Sequence, residues 1–379
     1  MDLFDIRTRI DAIDGALLDL YVERMELAAN VAASKRETGK AVFDPARERE
    51  KLLDIARATP ERYRDGALSL FSLLMSMNKA EQLKIIHGDT PCAPSKVLDA
   101  SRVDSAFPDM ASVACQGVEG AYSQLAACRL FRIPQITYCE SFEDVFRAVT
   151  DGRCTYGVVP IENSTAGSVN AVYDLLARYS CSIVRSLRLK IDHQLVAKRG
   201  TKLDEVKEVY SHEQAVAQCS RFLEGLDAHV NVFENTAMAA AFVAASDRDD
   251  VAALASKACA SLYDLDILAH DVQDSDNNYT RFVVVSAHPE IYPGATRTSL
   301  VVRLSHEPGS LYRVLERFYA LDINLVKLES RPIVGHDFEF MFYFDVECPV
   351  ESDRLPALLD ALDDVCEHVD YLGSYTEVL

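Results

Sequence analysis

The sequence has no H-E-x-x-H, no G-x-G-x-x-G and no P-loop, so nothing in it supports a bound metal, nicotinamide or nucleotide, and no cofactor is expected. It has no apolar run of membrane-spanning length, so no membrane partner is expected. The opening MDLFDIRTRI lacks the basic-then-apolar pattern of a signal segment, and the expectation is a cytoplasmic protein. None of its ten cysteines forms a C-x-x-C pair and their spacing is irregular, which fits free thiols in a reducing compartment. Positive charge is in deficit: 39 Lys and Arg stand against 59 Asp and Glu, a formal net charge of -20. Such a surface repels phosphate backbones, so nucleic acid is not expected as a partner. Any anionic small ligand must then be met by cations gathered locally.

What is present is a chain of 379 residues, 49% hydrophobic, enough for two or three domains with a sizeable core. It reads in three pieces. Residues 1–88 read as all helix: one helix over 3–37, a second from the Asp44-Pro45 start to Ala58, and a third over 61–87. Residues 89–110, rich in Pro, Ser and Asp, read as a linker. Residues 111–288 alternate short apolar strands ("ITYCE", "YGVVPI", "CSIVRSL", "VNVFE", "VAALAS", "RFVVVS") with helices, which predicts two α/β lobes with parallel strands and a cleft. Residues 297–379 follow a βαββαβ order, the ferredoxin-like pattern. Within it "FEFMFYFDVE" places Phe338, Phe340, Phe342, Phe344 and Val346 on one face.

The first helix carries an anomaly. Leu3, Ile6, Ile10, Ile13, Leu17, Leu20, Leu27 and Val31 form an apolar stripe, but its next step after Leu20 falls on Arg24. Lys35 shares that face, eleven residues on. On the third helix Ala67, Phe71 and Leu74 set a stripe that Asn78 and Gln82 continue with amides. One polar residue of this kind is ordinarily a side chain snorkelling to the rim. Four of them, with no acid placed to pair both cations, point instead to a bound dicarboxylate, because an unpaired buried cation is very costly. A first helix of roughly 50 Å is too long for two shorter helices to cover, so an intertwined helical dimer is expected.

These residues resemble the all-helical chorismate mutases over the whole of 1–88. The resemblance implies that Arg24 holds a substrate carboxylate and that Lys35 and Gln82 bond the ether oxygen that gains charge in the chorismate-to-prephenate rearrangement. It implies that Arg7 reaches into a partner's site. It places Arg47 and Glu48 at the ring side of the substrate, with Glu48 taking the hydroxyl. Asn78 stands where a serine is more usual.

In the middle piece, Asn163, Ser164, Thr165 and Ser168 crowd one strand-to-helix turn, more hydroxyls and amides than a cap requires. Ser211 and Gln218 repeat the arrangement in "VYSHEQAVAQC", and Thr280 and Arg281 precede a third apolar run in "YTRFVVVS". With "CQGVEGAYSQLAA", contributing Gly117, Gly120, Tyr122 and Ser123, these blocks resemble prephenate dehydratase over 111–288. The resemblance implies Thr280 as the catalytic hydroxyl, Phe282 beside it, and Asn163, Ser164, Thr165, Ser211 and Gln218 along the pocket. Arg281 either holds a carboxylate or pairs within the protein; the sequence leaves both open. The last piece resembles the ACT regulatory domain through Glu329-Ser330-Arg331-Pro332 and, with a departure, through Gly309-Ser310-Leu311-Tyr312, usually Gly-Ala-Leu-Val.

Together these resemblances imply an enzyme converting chorismate to prephenate and prephenate to phenylpyruvate, inhibited by phenylalanine, as a homodimer or larger homo-oligomer. A non-catalytic small-molecule sensor and an enzyme keeping only the dehydratase activity are the other readings, and arogenate is a possible second dehydratase substrate.

Overall fold

A computed structural model describes residues 2–38, 44–87, 95, 97–98, 101–333 and 340–379. Phe338 therefore lies outside the described residues. The chain divides into two compact units, Met1–Cys92 with Asp360–Val365, and Ala93–Leu359 with Cys366–Leu379. Among the described residues no helix is long and apolar enough to cross a membrane.

The first unit contains α1 (Leu3–Thr38), α2 (Pro45–Ala58), a single 3-10 turn (Glu61–Tyr63) and α3 (Arg64–His87). Asp44 caps α2 by accepting from the Arg47 backbone N–H, and Pro45 supplies the fixed φ of the first helical position. Helix α1 packs on α3 only in part. Ala28 and Ala32 are fully buried, whereas the apolar stripe from Leu3 to Val31 is 40% to 63% exposed at every stripe position. Eight large apolar side chains on one helix face are left uncovered within one chain.

The second unit is built on two sheets. The larger is ten-stranded, in the order β13-β14-β12-β15-β5-β11-β3-β1-β2, with the short β4 on β3. Its first half comprises β1 (Met110–Gln116), β2 (Ile133–Cys139), β3 (Tyr156–Asn163), β4 (Gly167–Ser168), β5 (Ser182–Lys190) and β11 (Tyr279–Ser286). Helices α4 (Tyr122–Leu130), α5 (Phe142–Thr150) and α6 (Asn170–Tyr179) cover it. The smaller sheet has the order β10-β6-β9-β7-β8. These strands are β6 (Gln194–Ala197), β7 (Glu208–Ser211), β8 (His229–Val232), β9 (Val251–Ala255) and β10 (Asp266–Ala269). Its helices are α7 (Glu213–Gln218), α8 (Ser220–Glu224), α9 (Thr236–Ala245) and α10 (Lys257–Leu262).

The expected parallel strands are present, but they are mixed with antiparallel ones. β1 runs parallel to β2 and β3, and β7 parallel to β8 and β9. β11 is antiparallel to both β3 and β5, and β6 is antiparallel to β9 and β10. The connectivity explains it. The chain leaves the first lobe at the end of β5 and returns at the start of β11, with Tyr279 paired to Lys190, so the returning strand must run backwards. Strand alternation does not report this, because β3, β9 and β11 are buried on both faces and read as continuous apolar runs.

The last segment is β12 (Arg297–Arg303), α11 (Ser310–Ala320), β13 (Asn324–Pro332), β14 (Phe340–Glu347), α12 (Arg354–Asp363) and β15 (His368–Val378). Its strands lie in the antiparallel order β13-β14-β12-β15, in keeping with the βαββαβ sequence pattern. This sheet does not stop at its own edge. β15 pairs in parallel with β5, matching Thr376 to Arg185 and Val378 to Leu187. Gly373 enables the approach, since a Cβ there would sit 2.1 Å from the carbonyl oxygen of Ile183. Phe340, Phe342, Phe344 and Val346 share one face of β14, as the alternation predicts, and the other face is covered too, with Tyr343 and Asp345 buried. That second face packs on the first lobe, with the Tyr343 ring edge-on to Tyr173 at 4.6 Å.

Candidate functional site

Two constellations emerge, one in each unit. In the first, Arg24 of α1 is half-buried and its Nη1 donates to the carbonyl oxygen of Leu74 at 2.6 Å. Among the described residues no carboxylate pairs with it, and burial lowers its pKa from the ordinary arginine value. Asn78 Nδ2 donates to the Arg24 carbonyl at 3.2 Å, and Gln82 Nε2 donates to Asn78 Oδ1 at 2.6 Å. Gln82 is 4% exposed, and its Oε1 is buried without a hydrogen-bond partner. An uncompensated cation and an orphaned amide oxygen in one helical seam both lack something that a ligand or second chain would supply.

Lys35 is half-buried further along α1. Glu48 of α2 is tied to α3 by Lys79, whose Nζ lies 2.8 Å from Glu48 Oε1. Sequence reasoning missed Lys79, since a lysine next to Asn78 reads as the solvated flank of the stripe. Arg7 is exposed. Arg47 does not join the cluster within this chain: its side chain is 62% exposed and pairs with Glu50 one turn along the same helix.

The second constellation lies between the two lobes, in a cavity of about 360 Å³ lined by Asn163, Gln218, His193, Thr280 and Phe282 together with Tyr122 and Ser123. Strand alternation on β11 turns Thr280 and Phe282 into the cavity. Thr280, 8% exposed, accepts a hydrogen bond at Oγ1 from Asn163 Nδ2 at 2.9 Å, which leaves the hydroxyl proton free for the cavity. Asn163 is fixed in turn. Its Oδ1 accepts from the Thr165 and Ala166 backbone N–H groups at 3.0 and 2.9 Å and from Thr165 Oγ1 at 2.7 Å. Gln218 Nε2 donates to Thr165 Oγ1 at 2.8 Å, so Gln218 Oε1 is the acceptor for Asn278 Nδ2 at 2.9 Å and for His193 Nε2 at 3.0 Å. His193 therefore carries its proton on Nε2. Its Nδ1 is buried without a partner, and burial lowers its pKa, favouring the neutral ring.

The expectation that local cations meet the anion fails for this cavity. No lysine or arginine is among its lining residues, and Glu234 is the carboxylate among them. Helix starts stand there instead: Ala121 and Tyr122 at α4, Val169 at α6, His212 and Gln214 at α7, Asn235 and Thr236 at α9. Free backbone N–H groups at helix N-termini are anion binders in their own right; no side chain caps the α4 and α6 starts, whereas His212 and Asn235 cap α7 and α9. Gly120 lets the α4 start pack close, because a Cβ there would sit 2.8 Å from Cys259 Sγ.

Several expected pocket residues lie elsewhere. Ser211 is fully buried and donates to the Leu254 carbonyl at 2.9 Å, joining β7 to β9. Ser164 donates to the Asn277 carbonyl at 2.7 Å and accepts from the Tyr279 N–H at 2.9 Å, clipping the turn to β11. Thr165 stands behind Asn163 and Gln218 and borders an adjoining cavity instead. Arg281 faces the opposite side of β11 from Thr280. It is 5% exposed, with Nη2 2.5 Å from Asp345 Oδ2 on β14 and Nε 3.7 Å from Glu162. Burial opposes its charge, but Asp345 outweighs burial and its pKa is raised. The alternative left open by the sequence resolves to an internal pair. His193 and Asn278 were missed; a histidine at a strand start and an asparagine in a polar turn carry no motif by themselves.

In the last segment Gly309, at φ +85°, starts α11 beside a cavity of about 340 Å³ lined by Leu304 to Pro308, Ser310, Leu311, Phe340 and Phe342. Tyr312 is 61% exposed. Pro332 pairs with Phe340, one wall of that cavity, but Glu329 and Arg331 turn away. Glu329 Oε2 accepts from Ser168 Oγ at 2.9 Å, Arg331 pairs with Asp174 at 3.0 Å, and Ser330 is exposed. One chain does not bring the two halves of this expected regulatory set together.

Comparison with known proteins bears on both constellations. Residues 6–83 match the family "Chorismate mutase type II", and residues 113–290 match "Prephenate dehydratase". The bifunctional chorismate mutase/prephenate dehydratase of Escherichia coli (strain K12) is 33% identical over 384 residues, spanning 98% of this chain and 96% of that protein. Arogenate dehydratase/prephenate dehydratase 2 of Arabidopsis thaliana, a chloroplastic protein, is 36% identical over 78% of this chain and 81% of its own length. The crystal structure of prephenate dehydratase in complex with L-Phe from Arthrobacter aurescens superposes with a TM-score of 0.64 at 28% identity, covering 70% of this chain and 89% of that one. Across nearly its whole length, the chain belongs to the bifunctional chorismate mutase/prephenate dehydratase family.

Proposed function

We propose that this chain is a cytoplasmic enzyme of phenylalanine biosynthesis that rearranges chorismate to prephenate and converts prephenate to phenylpyruvate with loss of CO2 and water. Residues 1–88 form the mutase, 111–288 the dehydratase, and 297–379 an ACT regulatory domain. The observation that carries the reading is the pairing of two unlike anion sites in one chain: the uncompensated Arg24 seam and the Thr280 cavity ringed by helix starts.

The mutase step needs no nucleophile and no proton transfer. Its C–O bond breaks ahead of C–C formation, so negative charge grows on the ether oxygen, and fixed donors aimed there favour the transition state over the ground state. Lys35 and Gln82 take that role. Arg24 holds a carboxylate and keeps the substrate in its folded, reactive shape. The exposed stripe of α1 is covered by a second copy, which also brings Arg7 to the site.

In the dehydratase step, the ring hydroxyl and CO2 depart together and the ring becomes aromatic. Thr280 Oγ1, its lone pair occupied by Asn163, donates its proton as a hydrogen bond to the leaving oxygen. Phe282 borders the ring, and the helix starts hold the carboxylates. Burial keeps His193 neutral and Gln218 holds its proton on Nε2, which leaves Nδ1 as an acceptor facing the cavity. Phenylalanine, the ligand of the Arthrobacter relative, is the feedback effector, bound beside Gly309 to Leu311, with Glu329 to Pro332 completing the site in the oligomer.

The test is direct. Purified protein given chorismate should produce prephenate and then phenylpyruvate, and phenylalanine should slow the second step. Ligand binding without turnover would leave a small-molecule sensor as the better account.

A further inference from the structure

We propose that Lys79 is a substrate-positioning residue of the mutase site, acting through Glu48; the inference rests on the mutase reading above. Lys79 follows Asn78 directly and precedes Gln82 by three residues, so the same turns of α3 that present the two amides also present a cation. Its Nζ lies 2.8 Å from Glu48 Oε1, and the two side chains are only 29% and 27% exposed. Among the described residues Glu48 Oε2 has no hydrogen-bond partner.

The chemistry of the ligand makes this arrangement informative. Glu48 is placed to accept the ring hydroxyl of a molecule that carries two carboxylates. A bare carboxylate is a strong acceptor, but it repels such a ligand, and a formal charge of -20 on the whole chain adds to the repulsion. An amide would not repel, and would accept more weakly. A carboxylate paired to a lysine at one oxygen meets both requirements. Lys79 offsets the charge of Glu48, the second oxygen keeps the strength of an ionised acceptor, and the direction of that oxygen is fixed by the α2–α3 link. A plain surface ion pair between two helices would instead contribute little, and only to stability.

The experiment uses the full chain with chorismate and, separately, prephenate. Lys79→Met should raise KM for chorismate about tenfold while kcat changes less than about threefold. Lys79→Arg should bring KM back to within about threefold of wild type. In a Glu48→Gln background, Lys79→Met should change KM by less than about twofold, since its point of action is gone. Prephenate turnover reports folding, and Lys79→Gln replaces Lys79→Met if the latter loses it. An unchanged KM in Lys79→Met overturns the proposal. So does the same tenfold penalty in the Glu48→Gln background, which would put Lys79 on the substrate itself. A wild-type protein that turns over chorismate while Lys79→Met matches it sinks this inference alone. A wild type inactive on chorismate sinks the mutase reading and takes this inference with it.

Discussion

On the proposed reading, the helical seam and the interlobe cavity meet the same electrostatic problem in opposite ways. The seam uses formal charge, Arg24 and Lys35, set on a surface that one chain leaves open. The cavity uses neutral groups: a threonine hydroxyl, amides locked in a hydrogen-bonded chain, and backbone N–H groups at helix starts. Formal charge suits an open seam, where a bound anion would give Arg24 the carboxylate it lacks among the described residues. Neutral donors suit an enclosed cavity, where an arginine left without a ligand would carry a large desolvation cost. Arg281, buried beside Thr280 on β11, fits the same rule, because it is matched by Asp345.

Experiments can break that contrast. The largest effect is expected for Thr280→Val, which should lower prephenate turnover by about 10³-fold or more while chorismate turnover persists. Loss of both activities would mark Thr280 as a folding residue. Next, Asp345→Ala should destabilise the second unit by about 3 kcal/mol in urea unfolding, since it leaves a buried guanidinium with only the longer pairing to Glu162. The paired change Arg281→Met with Asp345→Leu should recover most of that loss and leave KM for prephenate unaltered; a large rise in KM would return Arg281 to the substrate. Lys35→Ala should slow the mutase by about 3 kcal/mol without loss of helix content, and near-normal turnover would remove the charged-seam assignment. The smallest effect concerns pH. The folded pKa of His193 lies below its unfolded value, so the unfolded state binds more protons and stability falls as pH drops below the ordinary histidine range. His193→Asn should flatten that acid-side decline; an unchanged decline would assign it to other groups.

Much of this was legible in the sequence, and the exceptions share a cause. The helix limits of α1 and α2, the βαββαβ order and the Thr280–Asn163–Gln218 grouping follow from periodicity, capping and motif blocks. What stayed hidden depends on contacts between distant segments. Ser211 and Ser164 occupy motif positions yet bond to Leu254 and Asn277, and no local pattern reveals a partner 43 or 113 residues away. The reversed direction of β11 arises from where the chain re-enters a sheet. Lys79 and His193 gain meaning only from Glu48 and Gln218 across the fold.

β5, at the heart of the lobe that holds Thr280, completes its hydrogen bonding with β15, which ends at Val378 of 379 residues. Without β15 in place, β5 would present an open apolar border, so a chain clipped before β15 would expose a pairing edge that the folded protein conceals.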